Sequence, residues 1–316
     1  MKSENIKILT IAASLGLSVA VTAFLFRYYS GQNNLSSFDT KESTTTTTST
    51  TNAPTTTTST TSSAPSTTTV AEKKPIIIDI EEMNAKCGFC RPEMTDVNRK
   101  SPNNSIHTYS RHFFMCTGIP SEEWPSKLYT ATPYLEQFAA VFKNNGENPK
   151  SPFVINGTDI APTQKDTLDI IIFPEMVKLV NITPEQMEQV LKYFLDHDTI
   201  DSDFPSSVQL ESIKGKYIFV CTHKQKDERC GYCGPILVDQ LKEEIKNKGL
   251  ENDIQVFGTS HVGGHKYAGN LLIFPPGNWY GYVTPQDVSA MVDSAISGEV
   301  VQRLSRGTMG LNYDKN

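Results

Sequence analysis

Apolar residues recur at helical spacing in two stretches of the chain that keep a constant separation. In the first stretch, intervals of three and four residues define an apolar face made of Met187, Val190, Leu191, Phe194 and Leu195. Adding 101 to each number gives a second apolar face, Val288, Met291, Val292, Ala295 and Ile296. Each stretch follows a Thr-Pro pair, which supplies an N-cap and a first-turn proline. The pattern therefore predicts two helices related by an internal repeat.

Strand-like segments repeat in nearly the same frame. Phe114–Thr117 matches Phe219–Thr222 at an offset of 105, and Ile172–Pro174 matches Ile273–Pro275 at an offset of 101. Because strands and helices keep one frame, the sequence predicts two homologous lobes.

In the second lobe the pattern predicts a strand, a helix, a strand, a hairpin and a final helix. The elements before that final helix, which Thr284 would cap, are Tyr217–Cys221, Pro235–Lys248, Ile254–Phe257, Leu271–Phe274 and Tyr280–Val283. Residues 222–234 are polar and contain glycine, so a loop is expected there. In the first lobe, Asp169–Phe173 is predicted to be the first strand of a corresponding hairpin and final helix. We therefore predict an α/β fold with two repeated thioredoxin-like lobes.

The N-terminal residues depart from this pattern. Residues 8–26 form an uncharged run of 19 residues, long enough as a helix to cross the ~30 Å hydrocarbon core of a bilayer. A cleaved secretory signal is the alternative, but the run ends in Phe24-Leu25-Phe26, not in small residues. We expect a single-pass membrane anchor over residues 1–30. Residues 31–72 contain a long Ser/Thr-rich tract and are expected to form a disordered linker.

Charge and motifs exclude several classes of function. The formal net charge is −6 and no basic cluster exceeds a few residues, so no nucleic-acid partner is expected. No glycine-rich nucleotide fingerprint and no Ser-His-Asp or paired-carboxylate set can be identified. Any reductase that serves this chain would therefore be a separate protein.

Two cysteines and two histidines carry the candidate chemistry. Cys221 ends a predicted strand, Cys230 lies near the start of the following helix, and His261 and His265 follow the neighbouring strand. Because these loops belong to one βαβ unit, the four side chains should converge. Zinc accepts this donor set but usually with closer cysteine spacing, whereas a [2Fe-2S] cluster suits wide spacing, so both remain open. His223, in the same loop, is expected to be a surface residue.

Two Cys-x2-Cys pairs offer a rival chemistry. Cys87 with Cys90, or Cys230 with Cys233, would suit a thiol-disulfide oxidoreductase. No strong strand precedes Cys87 beyond residues 76–80, which weakens that interpretation of the first pair. Cys233 is expected to be a small buried residue at the start of a helix. Cys116, the repeat counterpart of a candidate ligand, is expected to be a buried thiol.

The cysteine and histidine motifs lie within longer sequence segments that resemble a known family. Residues 217–235, YIFVCTHKQKDERCGYCGP, resemble the sucrase/ferredoxin-like family, as do HVGGHKYAGNLLIF at 261–274 and WYGYVTP at 279–285. GFCRPEM at 88–94, RHFFMCTG at 111–118 and WPSKL at 124–128 resemble it too. The resemblance runs from about residue 86 to about residue 310, which is nearly all of the expected globular part.

This resemblance implies a thioredoxin-like ferredoxin domain that binds a [2Fe-2S] cluster. The family's ligand pattern corresponds here to Cys221, Cys230, His261 and His265, whereas thioredoxin-like ferredoxins in the wider sense use four cysteines. Histidine ligands raise the potential, as in Rieske centres, and a ligand imidazole that loses a proton makes the potential fall with rising pH. The implied domains are a degenerate lobe, residues 73–208, and a ferredoxin lobe, residues 209–316.

The sequence thus predicts a membrane-tethered electron carrier with an unknown protein as its redox partner. Electron transfer is expected in preference to conversion of a substrate of its own. A thiol-disulfide oxidoreductase and a structural zinc-binding interaction module are the alternatives.

Signals for the compartment conflict. Asn34, Asn103, Asn156 and Asn181 begin glycosylation sequons, which would suit a lumenal domain. Iron–sulfur clusters, however, are built in cytosol and mitochondria, and the six cysteines do not form a disulfide-type pattern. We therefore expect an intracellular membrane, with mitochondria as one candidate.

Overall fold

The structure, a computed structural model, describes residues 80–95, 99–145 and 152–310. The membrane anchor predicted at residues 8–26 and the linker at residues 31–72 lie outside these ranges. Within them, no helix combines the length and the apolar character that crossing a bilayer requires.

Helices and strands alternate along most of the described chain. The helices are α1 Ile80–Lys86, α2 Pro92–Thr95, α3 Pro133–Asn145, α4 Pro184–Asp196, α5 Glu228–Asn247 and α6 Val288–Ser297. The strands are β1 Arg111–Cys116, β2 Phe153–Thr158, β3 Asp169–Phe173, β4 Val177–Val180, β5 Gln209–Ser212, β6 Lys216–Cys221, β7 Ile254–Thr259, β8 Leu271–Phe274, β9 Asn278–Tyr280 and β10 Ser305–Thr308.

All ten strands belong to one sheet, in the order β10-β9-β8-β6-β7-β2-β1-β3-β4-β5. In each half a parallel βαβ unit, β1-α3-β2 or β6-α5-β7, is followed by an antiparallel pair and a helix. The chain therefore has a mixed α/β fold with thioredoxin-like strand order. The halves meet through β2 and β7, which pair antiparallel at Thr158 and Thr259. This pairing brings the carboxyl ends of the central strands of both halves together.

An aromatic layer packs where the two halves face one another. Phe114 stacks on Phe219 with ring centroids 3.7 Å apart, and Phe173 stacks on Phe274 at 4.3 Å. All four rings are buried. The partners in each pair are the residues that the sequence repeat aligns. Corresponding strands of the two halves thus contribute equivalent side chains to one shared core.

The two repeated apolar helix faces are largely buried. Four residues of each predicted face pack inside, but Leu195 is 54% exposed and its counterpart Ile296 is 50% exposed. Each of these two residues lies in the last turn of its helix. Thr183 caps α4 as expected, because its hydroxyl accepts from the backbone N–H of Gln186, whose side chain accepts in return.

The largest differences from the sequence prediction concern three elements. Helix α5 begins at Glu228, not at Pro235, so much of the expected loop at residues 222–234 is helical. Gly231 and Gly234 had suggested a loop, but they allow the helix to pack closely against residues 221–224. A Cβ atom at either position would collide with that segment. Strand β9 starts at Asn278, directly after the turn, and the predicted strand at residues 76–80 is contradicted at Ile80, which begins α1.

Candidate metal centre

Three of the four predicted ligands lie together beyond the ends of β6 and β7. The donor atoms of Cys221, Cys230 and His261 are all within 4.8 Å of one another. Cys221 is the last residue of β6, Cys230 lies in the first turn of α5, and His261 follows β7 by two residues. Both cysteines are buried. The parallel pairing of β6 with β7 therefore produces the convergence, as expected for one βαβ unit.

His265 lies next to this group but outside it. Its ring centroid is 5.9 Å from that of His261, and 55% of its side chain is exposed. Its Nδ1 lies 3.8 Å from a carboxylate oxygen of Asp227, the N-cap of α5. Gly263 and Gly264 have φ of +74° and +64°, so they bend the segment between the two histidines. Ligation by His265 stays a prediction.

The buried donors are chemically suited to a soft or borderline metal. The hydrogen bond with Cys230 holds the pKa of the Cys221 thiol well below its usual range, and the same bond raises the pKa of Cys230. The pair therefore titrates as a unit in which one thiolate forms first. His261 Nδ1 is buried and has no hydrogen-bond partner among the described residues. Two thiols and such an imidazole nitrogen fit zinc or an iron–sulfur cluster.

His223 is a buried supporting residue, which corrects the expectation of a surface position. Its Nε2 is 2.9 Å from the carbonyl oxygen of Pro125, and its Nδ1 accepts the backbone N–H of His261 at 3.3 Å. Nε2 therefore carries the proton, and burial lowers the pKa of this imidazole. Its ring packs against Trp124 in a T-shaped arrangement, with ring centroids 5.6 Å apart. His223 fixes the backbone of a candidate ligand against the first half, a long-range contact that sequence spacing does not reveal.

A buried hydrogen-bond chain also reaches the His261 backbone. Trp279 Nε1 donates to the Tyr109 hydroxyl at 2.7 Å, and that hydroxyl lies 3.1 Å from His112 Nδ1. His112 Nε2 is 3.0 Å from Asn156 Oδ1, and the Asn156 amide donates to the His261 carbonyl at 3.2 Å. The sequence signal was faint: His112 and Asn156 are polar residues in strands β1 and β2, which are otherwise mostly apolar.

The Cys-x2-Cys pair at Cys87 and Cys90 lies in the turn between α1 and α2. Cys87 is buried, with its thiol 3.6 Å from a carboxylate oxygen of Glu228, whereas the exposed Cys90 accepts from Asn84 at 3.1 Å. All six cysteines are free thiols. The two thiols of the pair thus have separate partners and do not contact each other in a disulfide.

Cys233 is buried, as expected, and connects α5 to this turn. Its thiol donates to the carbonyl oxygen of Cys87 at 3.5 Å and accepts from Arg91 at 3.5 Å. Burial raises the pKa of Cys233 to about 12. Arg91 is itself fully buried and donates to the carbonyl oxygens of Gly88 and Ala268 at 2.8 and 2.6 Å. Arg91 therefore attaches residues 88–91 to the second half next to the metal centre.

These features define an α/β protein with thioredoxin-like strand order and a buried cysteine–histidine centre at its strand ends. The chain belongs to the sucrase/ferredoxin-like family, whose profile matches residues 102–307. The match includes all four predicted ligands and both halves of the sheet.

Several yeast proteins are similar to this chain. "Altered inheritance of mitochondria protein 32" of Debaryomyces hansenii is 29% identical over 213 residues, covering 59% of this chain and 77% of that protein. "Actin patches distal protein 1" of Saccharomyces cerevisiae is 24% identical over 202 residues, covering 56% and 64%. A thioredoxin-like [2Fe-2S] ferredoxin from Aquifex aeolicus matches 30% of this chain and 94% of its own, with 23% identity and a TM-score of 0.27.

Proposed function

We propose that this chain is an electron-transfer protein that holds a [2Fe-2S] cluster through Cys221, Cys230, His261 and His265. The observation that supports it most directly is the group of three donors within 4.8 Å, two of them buried thiols. The orphaned Nδ1 of His261 adds to it, because a buried nitrogen without a hydrogen-bond partner is costly unless a ligand occupies it.

Each residue has a separate task in this proposal. Cys221 is the thiol that ionises more readily, and Cys230 completes the thiolate pair once a metal displaces the shared proton. His261 is held in place through its backbone, by His223 on its N–H and the Asn156 amide on its carbonyl. When bound, the cluster would supply one-electron chemistry. His265, being exposed, would be the ligand nearest to a redox partner.

The membrane anchor and the compartment belong to the same proposal. Residues 8–26 would tether the protein to an intracellular membrane, and the name of the Debaryomyces relative, which refers to mitochondria, supports a mitochondrial one. The sequon at Asn156 does not argue against this location, because the Asn156 side chain is buried and hydrogen-bonded. A glycan could not be attached there in the folded protein.

The domain assignment is also part of the proposal. We infer that residues 73–208 and 209–316 are repeated thioredoxin-like lobes, the first without a cluster. The shared strand order and the stacking of Phe114 on Phe219 support this inference. In the first lobe, burial raises the pKa of Cys116, and Pro125 stands where the second cysteine would be. The first lobe would then serve as a support for the ligand loops.

Metal analysis of the full-length protein tests the proposal. The protein would be purified under nitrogen in mild detergent, and iron, zinc, sulfide and the visible spectrum would be measured. We expect about two irons and two sulfides per chain with visible charge-transfer bands. Cys221→Ser should remove the colour, and Cys116→Ala, which alters the equivalent buried cysteine of the first half, should keep it. One zinc per colourless chain would overturn electron transfer and leave a structural zinc module.

A further inference from the structure

A cavity of about 620 Å³ opens beside the candidate metal centre. Its volume is within the range of small-molecule sites, roughly 300–1,000 Å³. His223, Ser260 and His261 line it from the loops after β6 and β7, and α3 with the ends of β1 and β2 lines the other side. Neither the proposed ligand set nor the buried hydrogen-bond chain requires a space of this size.

The rim of this cavity carries an excess of positive charge. Lys127, Lys143 and Lys226 line it, against a single carboxylate, Glu136. None of the three lysines forms an ion pair with any residue in the described ranges. This local excess contrasts with the net charge of −6 for the whole chain. Three unpaired ammonium groups around a concavity attract an anion.

The floor of the cavity offers an additional hydrogen-bond donor. Ser260 Oγ accepts from the Gly157 backbone N–H at 2.9 Å and from the Asn156 amide at 3.1 Å. With both acceptor positions used, its own hydroxyl hydrogen remains, and it has no acceptor among the described residues. Ser260 is buried, so a ligand oxygen in the cavity would satisfy this donor.

Much of the remaining wall is apolar, beside the polar residues Ser126 and Thr130. Met115, Leu128, Tyr129, Ala139 and Ile155 line the cavity between its charged rim and its polar floor. An inorganic ion would leave this apolar surface in contact with water. A ligand with an apolar body and one anionic group would cover the apolar walls while it meets the lysines or the serine.

We propose that this cavity is a binding site for a small organic carboxylate. The proposal goes beyond electron transfer, since the lysines, Ser260 and the apolar walls do not need the cluster in order to bind. The ligand would contact His261 in the cavity wall, next to the candidate metal centre.

Calorimetric titration of the full-length protein with benzoate and with benzamide tests the charge requirement. Benzoate is anionic at neutral pH, and benzamide has the same ring without the charge. We expect benzoate to bind at least about ten-fold more tightly, given several unpaired ammonium groups. Equal affinity for the two compounds, or no binding of benzoate, would overturn the proposal. The result does not depend on iron content, so it remains separate from the metal analysis.

Two pairs of variants test the location. Lys143→Gln should weaken benzoate binding by roughly two- to five-fold, as for one exposed ion pair, and Lys214→Gln, an exposed lysine elsewhere, should not. Ala139→Leu narrows the cavity without changing charge and should weaken benzoate binding, whereas Ala140→Leu on the exposed side of α3 should leave it unchanged. Circular dichroism would verify folding of each variant. Benzoate binding unchanged in both Lys143→Gln and Ala139→Leu would place the site elsewhere and refute the proposal.

Discussion

The buried imidazole of His112 should make the protein sensitive to mild acid. The ring is fully buried and stacks on Phe114 at a centroid distance of 4.1 Å. The Tyr109 hydroxyl accepts from Trp279, so its hydrogen is free to donate to His112 Nδ1, and His112 Nε2–H donates to Asn156. Both ring nitrogens are therefore used by the neutral form, and neither partner is charged.

The size of this effect follows from the pKa. Burial lowers the pKa of His112 to about 3, from 6.5 in an exposed chain. The unfolded state therefore binds the proton first as the pH falls. The contribution of the neutral His112 to the unfolding free energy is fully present above about pH 6.5 and is lost as the pH drops towards 3. At pH 5 the unfolded chain is almost fully protonated at this position and the folded chain is not. The resulting loss of unfolding free energy is about 2 kcal/mol.

Urea unfolding at pH 8 and pH 5 would measure this loss. The comparison uses the wild-type protein, His112→Gln and His107→Gln, which removes an exposed histidine. Between the two pH values, we expect the wild type and His107→Gln to lose about 2 kcal/mol more than His112→Gln. Acid effects elsewhere in the protein, including those at the metal centre, are shared by the wild type and His107→Gln. An equal loss in wild type and His112→Gln would refute the reasoning.

Three further substitutions test the supporting contacts. Arg91→Met should lower the unfolding free energy by roughly 2 kcal/mol or more, because the buried carbonyl oxygens of Gly88 and Ala268 lose their donor. It should also expose the Cys233 thiol to a disulfide reagent, and unaltered labelling of that thiol would contradict this role. Asn156→Ala should cost about 2 kcal/mol and shift the visible spectrum through the His261 loop, and an unshifted spectrum would count against the support. Thr183→Ala should cost about 1 kcal/mol in urea unfolding, and no loss would argue against the capping box.

Local signals in the sequence predicted part of the fold. Thr183 and the apolar spacing that follows it define α4, since caps and helical faces depend on residues a few positions apart. Cys221 at the end of β6 and His261 after β7 converge because parallel strands in a βαβ unit share one end. The repeat also aligned the ring pairs that stack across the shared core.

Features that depend on distant contacts were not predictable in this way. The predicted start of α5 was wrong because glycine is common in loops. Here Gly231 and Gly234 instead allow the helix to pack against the residues after β6. His223 was expected on the surface, since nothing in its own segment indicates that Pro125 and His261 lie beside it. The same holds for the lysines around the cavity, which come from separate parts of the chain.

Histidine ligation is the central claim, and nitrogen couplings in the reduced protein test it most directly. The full-length protein would be prepared with ¹⁵N-labelled histidine, reduced with dithionite and examined by pulsed electron paramagnetic resonance. We expect two strongly coupled histidine nitrogens, one of which disappears in His261→Cys and the other in His265→Cys. A reduced cluster without strong nitrogen coupling, or with both couplings intact in these variants, would contradict the proposed ligand set.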